Sequence, residues 1–292
     1  PEGRIIALDG EAGFQADLLR GGIHYGYWRW QYRVHVCPLV IVPQGKIGYV
    51  YARDGEALPP NQTLGRVVEC NHFQDARAFL ETQIEQPAPR DGKARDAQPR
   101  VGQRGRQLEI LREGVYAINP ALFTIITEDA VFTLERLIST WEMQNITSWQ
   151  RELVQIFGFT PVVIGQPMRV VNPLHPDEHQ VVDSIGIVTV HDGLSLALGE
   201  IIAPAVGNEV NDPHYHSNFQ DPQRFLLGGG RRGRQYQPLT DGTYFINRWF
   251  ATVEVKPKTV VPIGYVGVVV SYYGQSGQDL SGTAFRHGER VA

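Results

Sequence analysis

Three pairs of potential metal ligands stand two residues apart in this chain: His214-Tyr215-His216, Cys70-Asn71-His72 and His35-Val36-Cys37. Alternate residues of a strand project to one face, so each pair could offer two ligands to one ion. A closed zinc site takes four ligands, and neither Cys-x-x-Cys nor His-Glu-x-x-His occurs. The spacing therefore favours histidines that pack in a core or face solvent. Gly228-Gly229-Gly230-Arg231-Arg232-Gly233 satisfies G-x-G-x-x-G in form. A dinucleotide site needs a strand before that motif and an apolar helix after it. Here a helix-like Asp221–Leu227 precedes and Gln235-Tyr236-Gln237-Pro238 follows, which reads as a structural turn. G-x-S-x-G and P-loop patterns are absent from the sequence. These residues assign no catalytic group, no metal ligand and no cofactor, and the expectation is a protein that is not an enzyme.

Two other groups point to contact rather than chemistry. Tyr25, Tyr27, Trp28, Trp30 and Tyr32 are interleaved with Arg29 and Arg33. Aromatic rings mixed with arginine suit a protein interface or a lipid headgroup zone, against the plainer reading of strand packing. Arg100, Arg104, Arg106 and Arg112 form one basic cluster, and Arg231, Arg232 and Arg234 another. Such clusters are commonly solvated. If units stack between subunits, Arg104, Arg106, Arg232 and Arg234 could meet Glu109, Glu113 or Asp241 across the contact.

The elements that would carry these groups repeat. Gly-x-x-Gly-x-Gln-x-x-x-Leu-x-x-Gly-x-(His/Tyr) occurs three times: from Gly10, Gly13 and Gln15 to Gly22 and His24; from Gly102, Gly105 and Gln107 to Gly114 and Tyr116; and from Gly230, Gly233 and Gln235 to Gly242 and Tyr244. Val42-Pro43-Gln44-Gly45-Lys46-Ile47-Gly48 returns as Val261-Pro262-Ile263-Gly264-Tyr265-Val266-Gly267, and more weakly as Ser184-Ile185-Gly186-Ile187. Asn71-His72-Phe73-Gln74-Asp75 returns as Ser217-Asn218-Phe219-Gln220-Asp221. Gly22, Gly114 and Gly242 are placed to give positive φ in turns between strands. The Asp54-Gly55 and Asp192-Gly193 pairs are hairpin signals. Each unit then reads as a small antiparallel sheet with one short helix, at Asp75–Leu80 or Asp221–Leu226.

The expected fold is mainly β: tandem small antiparallel β-repeat modules in an elongated array, with short helices and one helical connector. The expected division is a half unit at 1–36, a full unit at 42–126 with a loop insertion at 81–101, a partly helical connector at 127–180, a full unit at 181–253, and the start of another at 261–292. Thr147 to Gln150 fits a capping box for a helix within 148–157 that stops at Gly158. Beginning and ending in mid-pattern suggests a stretch of a longer polypeptide.

Composition sets the outer limits. With 292 residues and 42% hydrophobic positions the chain can bury a sizeable core. Lys+Arg 27 against Asp+Glu 31 leaves a net charge of −4, which opposes a chain-wide grip on nucleic acid. Two cysteines fit a reducing compartment. The longest apolar run, Val266–Tyr273, falls far short of the roughly 20 residues a bilayer-spanning helix takes.

The strings Gly102-Gln103-Arg104-Gly105-Arg106-Gln107, Tyr116-Ala117-Ile118-Asn119-Pro120 and Val261–Gly267 resemble bacterial flotillin-like proteins of the SPFH (band 7) superfamily. Pro38-Leu39-Val40-Ile41-Val42-Pro43 resembles the β-repeats of the major vault protein. The resemblance covers the repeat units. It implies a scaffold whose partners are identical subunits in a large homo-oligomeric ring or cage. It also implies membrane association, with lipids reached through flanking segments. It carries over no catalytic residue, and the connector and the insertion depart from its pattern.

Overall fold

The computed structural model describes residues 5–8, 10–60, 62–81, 101–171 and 177–271. Residues 82–100 of the insertion at 81–101, Arg100 among them, and most of the last unit lie outside the described residues. Among the described residues strands hold 26% and helices 12%, in several small sheets that do not close into a barrel.

The leading pair, β1 (Ile6–Ala7) and β2 (Phe14–Gln15), is parallel. Then come β3 (Val40–Val42), β4 (Tyr49–Ala52), α1 (Ala76–Leu80), β5 (Gly105–Arg106), β6 (Gly114–Tyr116), β7 (Phe123–Ile126) and β8 (Val131–Phe132). Strand β3 pairs with β6, and the four-stranded sheet runs β5-β4-β7-β8. Helix α2 (Thr140–Gln155) leads to β9 (Val162–Ile164), the hairpin β10 (Met168–Val171) with β11 (His179–Val182), β12 (Ser184–Val190), α3 (Pro222–Leu227), β13 (Gly233–Arg234), β14 (Gly242–Tyr244) and β15 (Ala251–Pro257). The pairings repeat: β9 with β14 matches β3 with β6, and β13-β12-β15 matches β5-β4-β7. Strand β9 thus belongs to the second module, so that module starts near 162 and not at 181. The β10–β11 hairpin, inserted between β9 and β12, separates them in sequence and hides the match.

Helix α2 is longer than its sequence signal. Its N-cap is Ser139, whose Oγ accepts the Glu142 N–H while the Glu142 carboxylate accepts the Ser139 N–H. Thr147 sits in mid-helix, its hydroxyl donating to the Met143 carbonyl at 2.8 Å. Gln150 reaches back to the Thr127 carbonyl at 2.8 Å. The expected cap fails because another Ser-x-x-Glu box begins eight residues earlier, where it also satisfies first-turn donors.

The cores sit between modules. Alternation along β4 sends Val50 and Ala52 into one core and Tyr49 into the other, and β7 divides Phe123 and Ile125 from Ile126 in the same way. The first core joins the leading segment to the first module through Ile6, Ala16, Val42 and Phe79. The second joins the first module to α2 and the second module through Ile47, Leu153, Phe159, Val188 and Phe250. The first module's sheet is therefore covered on both faces. Strand β12 alternates buried and half-buried residues and is fully covered on one face only.

Candidate inter-module interface

The repeated motif is a set of side-chain staples. Gln107 Nε2 donates to the carbonyls of Gln103 at 2.7 Å and Gly105 at 2.8 Å. Gln235 does the same to Arg231 and Gly233, and Gln15 to Glu11 and Gly13. The residue closing the motif bonds the carbonyl four positions back: Tyr116 to Arg112 at 2.9 Å, Tyr244 to Thr240 at 3.0 Å, His24 to Arg20 at 2.6 Å. A Cβ on Gly102 would lie 2.4 Å from the Phe79 ring, and one on Gly230 would lie 2.2 Å from the Phe225 ring. These glycines are thus fixed by aromatic packing of α1 and α3. Gly114 and Gly242 lie within strands β6 and β14 rather than in a turn between strands, where the rings of Tyr116 and Tyr244 cover them. Gly22, in irregular backbone, and Gly114 and Gly242 have the expected positive φ, and Gly45 and Gly264 make positive-φ turns after proline. Gly48 packs under Val42 and Leu111, and Gly267 against Val261.

Two side chains per module reach into the preceding one, and do so with the same atoms at both junctions. Asp54 Oδ2 accepts the backbone N–H of Ile5 at 2.6 Å and of Ile6 at 3.1 Å. Its counterpart Asp192 accepts the N–H of Leu64 at 3.2 Å. Asn119 Nδ2 donates to the carbonyls of Gln15 at 2.9 Å and Ala16 at 3.0 Å. Asn247 Nδ2 donates to those of Gln107 at 3.0 Å and Leu108 at 2.9 Å. All four side chains are buried, so an unmade bond would leave a desolvated polar group. The expected Asp-Gly hairpins do not form: β4 and β12 pair with distant strands, and each aspartate instead holds its own glycine N–H and the neighbouring module. Repetition of Asp54/Asp192 and Asn119/Asn247 in the sequence was the available signal, but nothing in one sequence says that the partners lie in another module.

Each full module also holds a turn of three consecutive left-handed residues, at Asn71-His72-Phe73 and Ser217-Asn218-Phe219. Each such residue costs about 1–2 kcal/mol in isolation. The turn is pinned from inside. In the second module the Phe219 N–H donates to His216 Nδ1 at 2.8 Å, and His216 Nε2 donates to the Val206 carbonyl at 2.8 Å. Cys70 fills the same place in the first module, its sulfur accepting the Phe73 N–H, and burial pushes its thiol up to about 12. Burial also draws His216 below its usual value. His216 and Cys70 are therefore turn-holding core residues. His214 lies near Asp212, and among the described residues no three of His, Cys, Asp or Glu converge.

Arg106, Arg232 and Arg234 are engaged within the chain. Arg106 lies over the rings of Trp149 at 5.6 Å and Trp249 at 5.5 Å, inside the second junction, and burial lowers its pKa. Arg234 pairs with Glu254 at 3.3 Å, Arg232 donates to the Ser195 hydroxyl, and Arg104 is exposed. The acids expected to face arginines across a subunit contact have other partners: Glu109 meets His72, Glu113 accepts the Gly45 N–H, and Asp241 meets Lys258. The aromatic block is irregular and open to solvent, with Tyr25, Trp28 and Trp30 at 86%, 63% and 84% exposure. Tyr27 is less open and stacks edge-on with Tyr32. A groove along α2, lined by Ile138, Met143, Thr147 and Arg151 among others, is open to solvent and contains no acid–base pair.

Comparison of the chain with protein-family models, with curated proteins and with solved structures returns no match. No helix among the described residues is long and apolar enough to cross a membrane.

Proposed function

We propose that this chain is a non-enzymatic structural scaffold subunit that assembles side by side into a large homo-oligomeric ring or cage at a membrane. The observation that supports this reading is the identity of the two junctions. The polar residues kept by the repeats are spent on fixing one module to the next. Modules that contact only their neighbours make extended bodies, and identical extended bodies have long flanks available for lateral contact. The membrane part rests on the flotillin-like resemblance. The test is electron microscopy of the purified chain on vesicles containing anionic lipid. Rings or ordered arrays on the vesicle surface are expected. Vesicles that leave the protein unbound and unassembled overturn the reading.

A second reading is a β-repeat module that binds a protein or glycan through residues 25–32. The exposure of Tyr25, Trp28 and Trp30 favours it. It predicts a chain that binds one partner tightly and loses that binding on Trp28→Ala with Trp30→Ala.

A further inference from the structure

The left-handed turn of each full module is tied to the stretch that follows β5 or β13, and the two ties use different chemistry. In the second module Gln237 Nε2 donates to Asn218 Oδ1 at 3.0 Å. In the first, His72 Nδ1 lies 2.7 Å from Glu109 Oε1. The positions correspond, because Asn71-His72-Phe73 matches Ser217-Asn218-Phe219 and Gln107 matches Gln235. An amide pair that never titrates thus stands where the first module has an imidazole and a carboxylate. The place is poorly hydrated. The other oxygen of Gln237 is buried with no hydrogen-bond partner among the described residues, and burial raises the Glu109 carboxyl above its ordinary value, against the pull of His72. Glu69 adds a like charge beside Glu109. The segment that His72 ties down is also the one the second module grips. Asn247 holds the carbonyls of Gln107 and Leu108, and Arg112 lies over the Phe245 ring at 4.6 Å. The Tyr116 ring stands edge-on to His72 at 6.4 Å, and its hydroxyl donates to the Arg112 carbonyl at 2.9 Å.

We propose that the His72–Glu109 pair makes the hold on residues 107–112 proton-dependent, so that acidification tightens the second junction. An imidazolium both donates to the half-buried carboxylate and neutralises it, whereas a neutral imidazole only donates. Histidine is the side chain that changes charge between pH 5 and 8. The two partners act with the same sign. A carboxyl raised in the folded chain contributes most below the unfolded value of about 4.3, and that contribution is lost as pH rises through the folded value. An imidazolium held by a carboxylate is likewise lost as pH rises. Between pH 8 and pH 6 the hold therefore strengthens as protons bind. The neighbouring ionisable groups have other engagements. Glu113 accepts the Gly45 N–H, and Asp75 caps α1. Burial pushes the Cys70 thiol up to about 12 and keeps the Tyr116 phenol above its usual range, so both stay neutral. His216 in the second module works in the opposite sense, since burial draws its value down. A melt of the whole chain would mix the two effects, and the readout must be local.

The test is hydrogen–deuterium exchange of the full 292-residue chain, read by mass spectrometry at pH 6 and pH 8 and corrected for intrinsic rates. Protection of residues 107–112 is expected to be about threefold greater at pH 6, the size of effect a partly exposed ion pair gives. His72→Asn with Glu109→Gln installs the second module's own amide pair and is expected to remove that difference. The reciprocal change, Asn218→His with Gln237→Glu, is expected to raise the protection of residues 235–240 at pH 6 over pH 8 relative to the parent, and it decides the matter if the first variant does not fold. Equal protection of residues 107–112 at the two pH values in the parent, a difference that survives in the amide variant, or a reciprocal variant that behaves as the parent does overturns the proposal. The pair lies within one chain, so none of these results bears on the scaffold reading.

Discussion

Asn247→Ala tests whether the second junction is held as its geometry indicates. The side chain is 2% exposed. Its Nδ2 serves two carbonyls of the preceding module, and its Oδ1 accepts the Trp249 N–H at 2.9 Å. Alanine therefore strands three buried backbone groups. At about 1–3 kcal/mol for each, less what relaxation and water recover, the loss is about 3–5 kcal/mol. That is a large share of the 5–15 kcal/mol typical of a native domain, as an order of magnitude (about). Urea unfolding followed by tryptophan fluorescence reads this junction directly, because Trp149 and Trp249 lie there with ring centroids 6.1 Å apart. Asn119→Ala removes the same atoms from the first junction, where Gln15 is exposed and water can replace the amide. Its expected loss is about 1–2 kcal/mol. Asn247→Asp keeps the acceptor for Trp249 but aims a carboxylate oxygen at two carbonyls, and is expected to be at least as damaging as alanine. A loss below about 1 kcal/mol for Asn247→Ala, or equal losses at the two junctions, refutes the reasoning.

Three further outcomes follow from single sites. His216 is buried and neutral with its pKa depressed, so its contribution is present above the unfolded value of about 6.5 and is lost as pH falls below that toward the folded value. Urea midpoints at pH 7.5 and 5 should therefore diverge more in the parent than in His216→Cys, which installs the group used at Cys70; equal divergence refutes the role. Gly230→Ala drives a methyl into the Phe225 ring and should cost about 1–3 kcal/mol, partly recovered by Phe225→Leu; thermal melts of the single and double variants check this. Arg106→Met removes a cation that lies over both Trp149 and Trp249 and should cost about 1 kcal/mol with a shift in tryptophan emission, so unchanged emission would count against the cation–ring contact.

Local patterns were legible in the sequence wherever the chemistry is local. The Gly-x-x-Gly-x-Gln spacing encodes bonds to the second and fourth carbonyls back, so its threefold recurrence reported three copies of one turn. The short helices were readable because Asp75 and Asp221 cap them, each accepting an N–H three residues on. Long-range use of the same residues was not readable. Asp54-Gly55 has the composition of a hairpin turn, yet its carboxylate is taken by Ile5 and Ile6 from 49 and 48 residues away. The second module's first strand was not legible because Ile164-Gly165-Gln166-Pro167 reverses the order of proline and glycine in Val42-Pro43-Gln44-Gly45, and the β10–β11 hairpin separates it from the rest. The left-handed turns were visible only as a matched block, since Asn71, His72 and Asn218 are types enriched at positive φ but Phe73, Ser217 and Phe219 are not.

The placement of the cores has a consequence for assembly. A module whose sheet lends one face to each of two neighbouring cores is incomplete without them, so stability belongs to junctions more than to units. The second module marks a change in this scheme. Ile126, buried in the second junction, corresponds in strand register to Glu254, which lies exposed against Arg234 at 3.3 Å. Tyr49, whose hydroxyl donates to the Gly158 carbonyl at 2.7 Å across that junction, corresponds to Ile187, which is only half-buried. A neighbour seated on this outer face would meet an ion pair and backbone edges, not the aromatic core that locks the first module to the second. Under the scaffold proposal, a contact made by this outer face is therefore held differently from the two inside the chain.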